Sequence, residues 1–91
     1  MVGKSSGPHE LPFGAALRRV RRAAGMSQEL LGLEAGVQRN FVSLIELGQN
    51  QPTITTIHKL ARALGMRASE LVAEAEREGH TGAKTRRKTT L

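Results

Sequence analysis

The chain has 91 residues, which is enough for one small domain and few for two. It carries 14 Lys and Arg residues against 8 acidic ones, and this net charge of +6 favours a polyanionic partner such as nucleic acid or an anionic membrane. There is no Cys, which excludes disulfides, thiolate zinc sites and cysteine nucleophiles. Only two residues are aromatic, so recognition of single strands by base stacking is disfavoured and double-stranded DNA is the better candidate ligand.

The ends of the chain differ in composition from the middle. Residues 1–11 are rich in Gly, Ser and Pro and predict a flexible arm, and residues 78–91 are rich in Gly, Thr, Lys and Arg and predict a disordered basic tail. The start of the chain has no apolar run of signal-peptide length, and there is no apolar stretch of about 18 residues that could span a membrane. We therefore expect a cytoplasmic protein with no membrane partner, whose single domain covers residues 12–77.

Within this domain the apolar residues recur at helical spacing, and no segment alternates with a period of two for long enough to form a strand. Ser27 and Thr53 are suitable N-cap residues, and Gly25, Gly36, Gly48 and Gly65 are suitable helix stops. The sequence predicts an all-α fold with five helices, at residues 12–24, 28–35, 38–47, 54–64 and 68–77.

The segment from Ser27 to Gly48 has the length of a helix-turn-helix, with two short helices joined by the turn Ala35-Gly36-Val37. Gly36 can adopt the positive φ angle that a tight turn requires. An ordinary helical hairpin is the alternative, and the basic charge and the short helices count against it.

Six motifs follow one another along the middle of the chain. They are Leu17-Arg18-Arg19-Val20-Arg21, Met26-Ser27-Gln28-Glu29, Ala35-Gly36-Val37, Phe41-Val42-Ser43-Leu44-Ile45-Glu46-Leu47-Gly48, Pro52-Thr53 and Leu60-Ala61-Arg62-Ala63-Leu64-Gly65. In their order and spacing these motifs resemble the phage-repressor and Cro-like helix-turn-helix family, also called the XRE family. The resemblance covers roughly residues 13–72 and implies a five-helix, lambda-repressor-like DNA-binding domain. It further implies a homodimer on a palindromic operator, with the third helix reading bases in the major groove.

The resemblance places candidate base-reading residues on the third helix, because the start of this helix points into the groove. Arg39 is suited to the O6 and N7 atoms of guanine, and Asn40 to the N6 and N7 atoms of adenine. The full set is Gln38, Arg39, Asn40, Ser43 and Leu44, and for each of them a solvated helix surface is the alternative.

Candidate phosphate contacts lie at two other places. Gln28, at the start of the second helix, matches the phosphate-contacting Gln of the family. The segment after Gly48 offers polar side chains and backbone amides at Gln49, Asn50, Gln51 and Thr53, although a plain capped turn explains these four residues equally well.

The resemblance also assigns Arg21 and Glu46 to a partly buried structural salt bridge. The chain departs from the family pattern at Gly32, where Ala is common, and at Gln38, where a Ser or Thr cap is common. We expect a softer second helix and a less firmly capped third helix from these two departures. Leu30 and Leu33 replace residues that are usually polar in the family, and they leave apolar surface on the second helix.

A homodimer is also expected on physical grounds, because two or three base-reading side chains cannot supply operator-level specificity. The candidate dimer interface is the fifth helix and its approach, at Leu64, Met66, Leu71, Val72 and Ala75. A restriction-modification controller and an autoregulating antitoxin are alternatives within DNA binding, and an interaction adaptor that does not bind DNA is the rival from another class.

Other chemistry is poorly supported by the sequence. His9, His58 and His80 are far apart and have no Cys or Asp to complete a metal site, so no metal and no cofactor are expected. No nucleophile motif or phosphate-binding Gly-rich loop occurs, and the chain is therefore not expected to be an enzyme. The acidic residues Glu74, Glu76 and Glu78, with Arg77, are interpreted as a solvated helix face.

Overall fold

The computed structural model describes residues 11–79, and these residues form five α-helices and no strand. The predicted all-α fold is therefore confirmed for this part of the chain. The predicted arm at residues 1–10 and the predicted tail from residue 80 onward lie outside the described residues. Glu78 and Gly79, which belong to the predicted tail, form the end of the last helix. The predicted boundary between domain and tail is therefore wrong by two residues. The helices are α1 (Phe13–Ala23), α2 (Gln28–Ala35), α3 (Arg39–Glu46), α4 (Ile54–Ala63) and α5 (Ala68–Gly79).

The helix ends follow the local signals in the sequence. The hydroxyl oxygen of Ser27 accepts a hydrogen bond from the backbone N–H of Leu30 at 3.0 Å, and the hydroxyl of Thr53 accepts one from Thr56 at 3.1 Å. Gly36, in the turn between α2 and α3, has a φ angle of +76°. Gln38 precedes α3 without any side-chain capping bond, as the departure from the family pattern suggests.

One hydrophobic core holds the five helices together. Helix α1 packs against α3 and α5, α2 packs against α3 and α4, and α4 packs against α5. Each helix contributes at least two buried apolar residues, so loss of any helix would expose part of the core. These residues are Phe13, Ala16, Leu17, Leu31, Ala35, Val42, Ile45, Leu60, Ala61, Leu71 and Ala75.

Two buried glycines allow the neighbouring helices to approach α3 closely. A Cβ atom at Gly14 would lie 2.2 Å from the carbonyl oxygen of Ile45, and one at Gly32 would lie 2.7 Å from the carbonyl oxygen of Val37. The expectation that Gly32 only softens α2 is incomplete, because an Ala there would push against the turn and the start of α3. Helix α3 is thus held by α1 near its end and by α2 near its start.

An ion-pair cluster joins α1 to α5. The guanidinium group of Arg19 donates to Glu74 and to Glu78, each at 3.0 Å, and Arg77 donates to Glu74. Glu74 and Glu78 are half-buried. The interpretation of this acidic helix face as simply solvated is therefore wrong, since two of its carboxylates contact the first helix.

Candidate nucleic-acid interface

The start of α3 presents three polar side chains to solvent. Gln38, Arg39 and Asn40 are all exposed, and within residues 11–79 the Arg39 side chain has no ion pair. Ser43 and Leu44, one turn further along α3, are half-buried. The five residues with predicted base-reading roles therefore lie on one short helix and its N-cap, with the most exposed ones at its amino end.

The last residue of α3 is anchored to α1 by a buried ion pair. The Nε of Arg21 donates to Oε2 of Glu46 at 2.6 Å, and Nη2 donates to Oε1 at 3.0 Å. The side chains of Arg21 and Glu46 are only 9% and 4% exposed, and Nη1 of Arg21 also donates to the carbonyl oxygen of Met26 at 2.8 Å. This bidentate contact fixes the end of α3 relative to α1, in the pairing that the resemblance implies.

Gln28 joins this ion pair. Its side-chain Nε2 donates to Oε1 of Glu46 at 3.0 Å, so the first residue of α2 is tied to the last residue of α3. The sequence contains no local signal for this contact, because the two residues are 18 positions apart and lie on different helices. An amide group has two N–H donors, so the contact with Glu46 leaves one for a ligand.

The protonation states of the pair follow from these contacts. Burial raises the pKa of Glu46, but the hydrogen bonds from Arg21 and Gln28, together with the charges of Arg21 and Arg18, outweigh it, and the pKa lies below its ordinary value. The hydrogen bond with Glu46 raises the pKa of Arg21. Both groups are therefore charged at neutral pH.

The connection between α3 and α4 is less available to a ligand than its sequence suggests. The backbone amides of Gln49 and Asn50 donate to the carbonyl oxygen of Leu44, at 2.9 Å and 3.3 Å. The hydroxyl group of Thr53 caps α4. The prediction that backbone amides here are free for a phosphate is therefore wrong for Gln49 and Asn50, while the side chain of Gln51 remains exposed.

The predicted dimer interface needs a correction. Leu71 and Ala75 have no exposed surface and belong to the core, where they face the other helices of the same chain. They cannot contribute to a contact with a second chain while the domain is folded. Leu64, Met66 and Val72 are half-buried and retain some accessible surface. On α2, Leu30 and Leu33 are 40% and 77% exposed.

No group of three or more His or Glu side chains in residues 11–79 is placed to hold a metal ion.

None of the described helices is long and apolar enough to cross a membrane.

Comparison with known proteins matches residues 17–71 to the HTH_3 family model, which is described as a helix-turn-helix. This range covers α2, α3 and α4 completely and most of α1. The chain belongs to the HTH_3 family. The start of α3 and eight of the eleven buried apolar residues fall within the matched range, while Phe13, Ala16 and Ala75 lie just outside it. The pair α2 and α3 is therefore an HTH_3 helix-turn-helix.

Among curated relatives, the chain is 35% identical over 63 residues to an uncharacterized HTH-type transcriptional regulator of Sinorhizobium fredii. That match covers 69% of this chain and 82% of the relative. It is also 35% identical over 63 residues to the control protein C.BamHI of Bacillus amyloliquefaciens, covering 68% of this chain and 78% of the relative.

Among solved structures, the chain is similar to the restriction-modification controller protein C.AhdI from Aeromonas hydrophila. The TM-score is 0.64 and the identity 41%, over 67% of this chain and 92% of that one. The chain is thus an HTH_3-type transcriptional regulator related to restriction-modification controllers. Its relatives are regulators rather than enzymes, which confirms the prediction that it is not an enzyme.

Proposed function

We propose that this HTH_3 regulator binds double-stranded DNA sequence-specifically, as a homodimer on a palindromic operator. The observation that carries the proposal is the exposed Arg39 beside Asn40 at the amino end of α3, where Arg39 has no ion pair among residues 11–79. A guanidinium group there can donate two hydrogen bonds to a guanine, and the neighbouring amide can bind an adenine.

The rigidity of α3 supports base reading. Its end is bonded to α1 through Arg21 and Glu46, and its start is packed on α2 at Gly32. Side chains on a helix held at both ends need little reordering when they meet a base edge, and this lowers the entropic cost of binding.

The dimer is proposed because one domain has too few candidate base contacts for operator-level specificity. Surface for a second copy remains at Leu64, Met66 and Val72. Two copies related by a twofold axis would read an inverted repeat.

A role as a restriction-modification controller is the more specific candidate, and the similarity to C.AhdI and C.BamHI favours it. An autoregulating antitoxin would use the same DNA-binding surface. An adaptor that does not bind DNA would have no use for Arg39 and Asn40 in these positions.

The proposal is tested by the Arg39→Ala variant on duplexes that vary each base pair of a selected half-site. We expect preference to relax at one base pair, with a loss of about 1–3 kcal/mol of discrimination. Arg62→Ala is a matched control, because Arg62 is an exposed cation on α4 with no ion pair among the described residues.

Gln28→Ala provides the contrast, because loss of a phosphate contact should weaken binding to all sequences about equally. An equal loss on every base variant with Arg39→Ala would refute the base-reading role of Arg39.

A further inference from the structure

The four arginines of α1 are used in two different ways. Arg19 pairs with two carboxylates of α5, and Arg21 pairs with Glu46 of α3. Arg18 and Arg22 are exposed and form no ion pair within residues 11–79. Two of these arginines therefore form ion pairs that hold the fold together. The other two form no ion pair within residues 11–79, although Arg18 is near enough for its charge to act on Glu46.

Arg18 and Arg22 line an open cleft of about 310 Å³ where α1, α2 and α3 meet, which we call the α1–α2–α3 cleft. A water molecule occupies about 30 Å³ in the liquid, so the cleft has room for a phosphate group and bridging waters. Its polar lining consists of Arg18, Arg21, Arg22, Gln28, Ser43 and Glu46.

The charge balance of the cleft is positive. The carboxylate of Glu46 is matched by Arg21 through two hydrogen bonds, and its Oε1 also accepts from Gln28. The charges of Arg18 and Arg22 are left without a matching anion among the lining residues. Neutral donors are present as well, namely the second N–H of Gln28 and the hydroxyl of Ser43. An anion that accepts several hydrogen bonds fits this lining.

The position of the cleft indicates which anion this is. Ser43 belongs to both the cleft and α3, one helical turn from the exposed Arg39 and Asn40. When the start of α3 enters a major groove, the sugar-phosphate backbone that borders the groove runs beside the neighbouring helices. The cleft is therefore placed at the edge of the proposed base-reading surface.

We propose that the α1–α2–α3 cleft binds a phosphodiester of the DNA backbone through Arg18 and Arg22, with Gln28 and Ser43 as neutral donors. This inference rests on the proposed function, since it takes DNA to be the ligand. It adds Arg18 and Arg22 of α1 to the DNA contacts, whereas their neighbours Arg19 and Arg21 stabilise the fold through ion pairs. It also gives Gln28 a second task, because the bond to Glu46 orients its amide at the edge of the cleft.

The test is the salt dependence of DNA binding for Arg18→Ala, Arg22→Ala and the double variant. Each lost phosphate contact makes the slope of log Kobs against log salt less steep by about 1. We expect this decrease for at least one single variant and for the double variant, with weaker binding of about tenfold that is the same for all sequences. Arg62→Ala, which removes an exposed arginine outside the cleft, should leave the slope nearly unchanged.

Thermal unfolding followed by circular dichroism separates binding from folding. Arg18 and Arg22 form no ion pair in the described residues, so their removal should change the midpoint by only a few degrees. Arg19→Ala is the opposite control, because it removes the contacts with Glu74 and Glu78 and should lower the midpoint without flattening the slope.

The measurements are made on a mixed-sequence duplex and on the selected operator. An unchanged slope for the double variant on both duplexes, with base preference intact, would overturn the cleft proposal and leave the proposed function standing. If the double variant flattens the slope on the mixed-sequence duplex, and selection yields no preferred sequence, the phosphate contact of the cleft is supported and the proposed operator is refuted. Inorganic phosphate is the second probe: if it shifts the NMR signals of the Arg18 and Arg22 side chains while the DNA slope is unchanged, the cleft binds small anions and the DNA assignment is wrong.

Discussion

Replacing Glu46 by Gln removes the negative charge from a buried side chain that accepts three hydrogen bonds. The carboxylate accepts two hydrogen bonds from Arg21 and one from Gln28, and its side chain is 4% exposed. The Glu46→Gln variant keeps the shape but exchanges one acceptor oxygen for an N–H donor, which faces a guanidinium donor. Arg21, whose side chain is 9% exposed, is then left as a buried charge without a counterion.

The cost of this change is large for a domain of this size. Breaking a buried ion pair by removing one partner costs about 3–5 kcal/mol. A domain with the described residues has a total free energy of unfolding of about 3–10 kcal/mol. The variant should therefore lose at least about a third of this free energy, and its unfolding midpoint should fall by at least about 12 °C.

Urea and thermal unfolding followed by far-UV circular dichroism measure this loss. Glu34→Gln is a matched control, because Glu34 is exposed on α2 and forms no ion pair within residues 11–79. That variant should stay within about 0.5 kcal/mol of the parent chain.

A large loss of stability could come from the uncompensated charge of Arg21 or from the loss of the contact itself. The double variant Arg21→Met with Glu46→Leu separates these two explanations, because it removes both the contact and the charge. If the cost arises from an uncompensated charge, the double variant should be more stable than the chain with Glu46→Gln alone. A loss of less than about 1 kcal/mol for Glu46→Gln, which is the value of an exposed pair, would refute the argument.

Two further predictions concern the packing of α3 and the pH dependence of the fold. Gly32→Ala should lower the free energy of unfolding by about 1–3 kcal/mol through overpacking against Val37, despite a helix-propensity gain of about 1 kcal/mol, and unchanged or higher stability in urea would contradict the close approach. Because the pKa of Glu46 is lowered on folding, its contribution is complete above the ordinary Glu pKa and is lost as the pH falls below it toward the depressed value. As the pH is lowered, the unfolding midpoint should therefore fall more steeply in the parent chain than in the Glu46→Gln variant. Identical dependence of the midpoint on pH in the two chains would contradict this assignment.

Much of the fold could be predicted from the sequence because its signals are local. The apolar spacing indicates the helices, and Ser27 and Thr53 cap α2 and α4 as predicted because the bonded groups lie within one turn. The pairing of Arg21 with Glu46 was available only through the family resemblance, since nothing within either helix indicates the partner.

The features of the fold that could not be predicted depend on contacts between segments that are distant in the sequence. Gly14 interrupts the apolar pattern of α1, and an isolated Gly within a helix is a signal of close packing, but the carbonyl of Ile45 that it contacts cannot be identified from that signal. The contact between Arg19 and Glu74 joins residues 55 positions apart.

The residues of α5 show a further limit of sequence patterns. The apolar stripe identifies Leu71 and Ala75 as facing something apolar, but the pattern is the same whether that surface belongs to the same chain or to a partner. The structure places both residues in the core.

Selection of bound sequences from a random pool of duplex DNA measures whether the chain reads base sequence as a dimer. A homodimer that reads bases with the start of α3 should enrich an inverted repeat, with half-site centres about 10 base pairs apart or a multiple of that. The Arg39→Ala variant should enrich the same repeat with one position of each half-site degenerate. Recovery of a random population by the parent chain, with no sequence enriched, would contradict sequence-specific DNA binding by this chain.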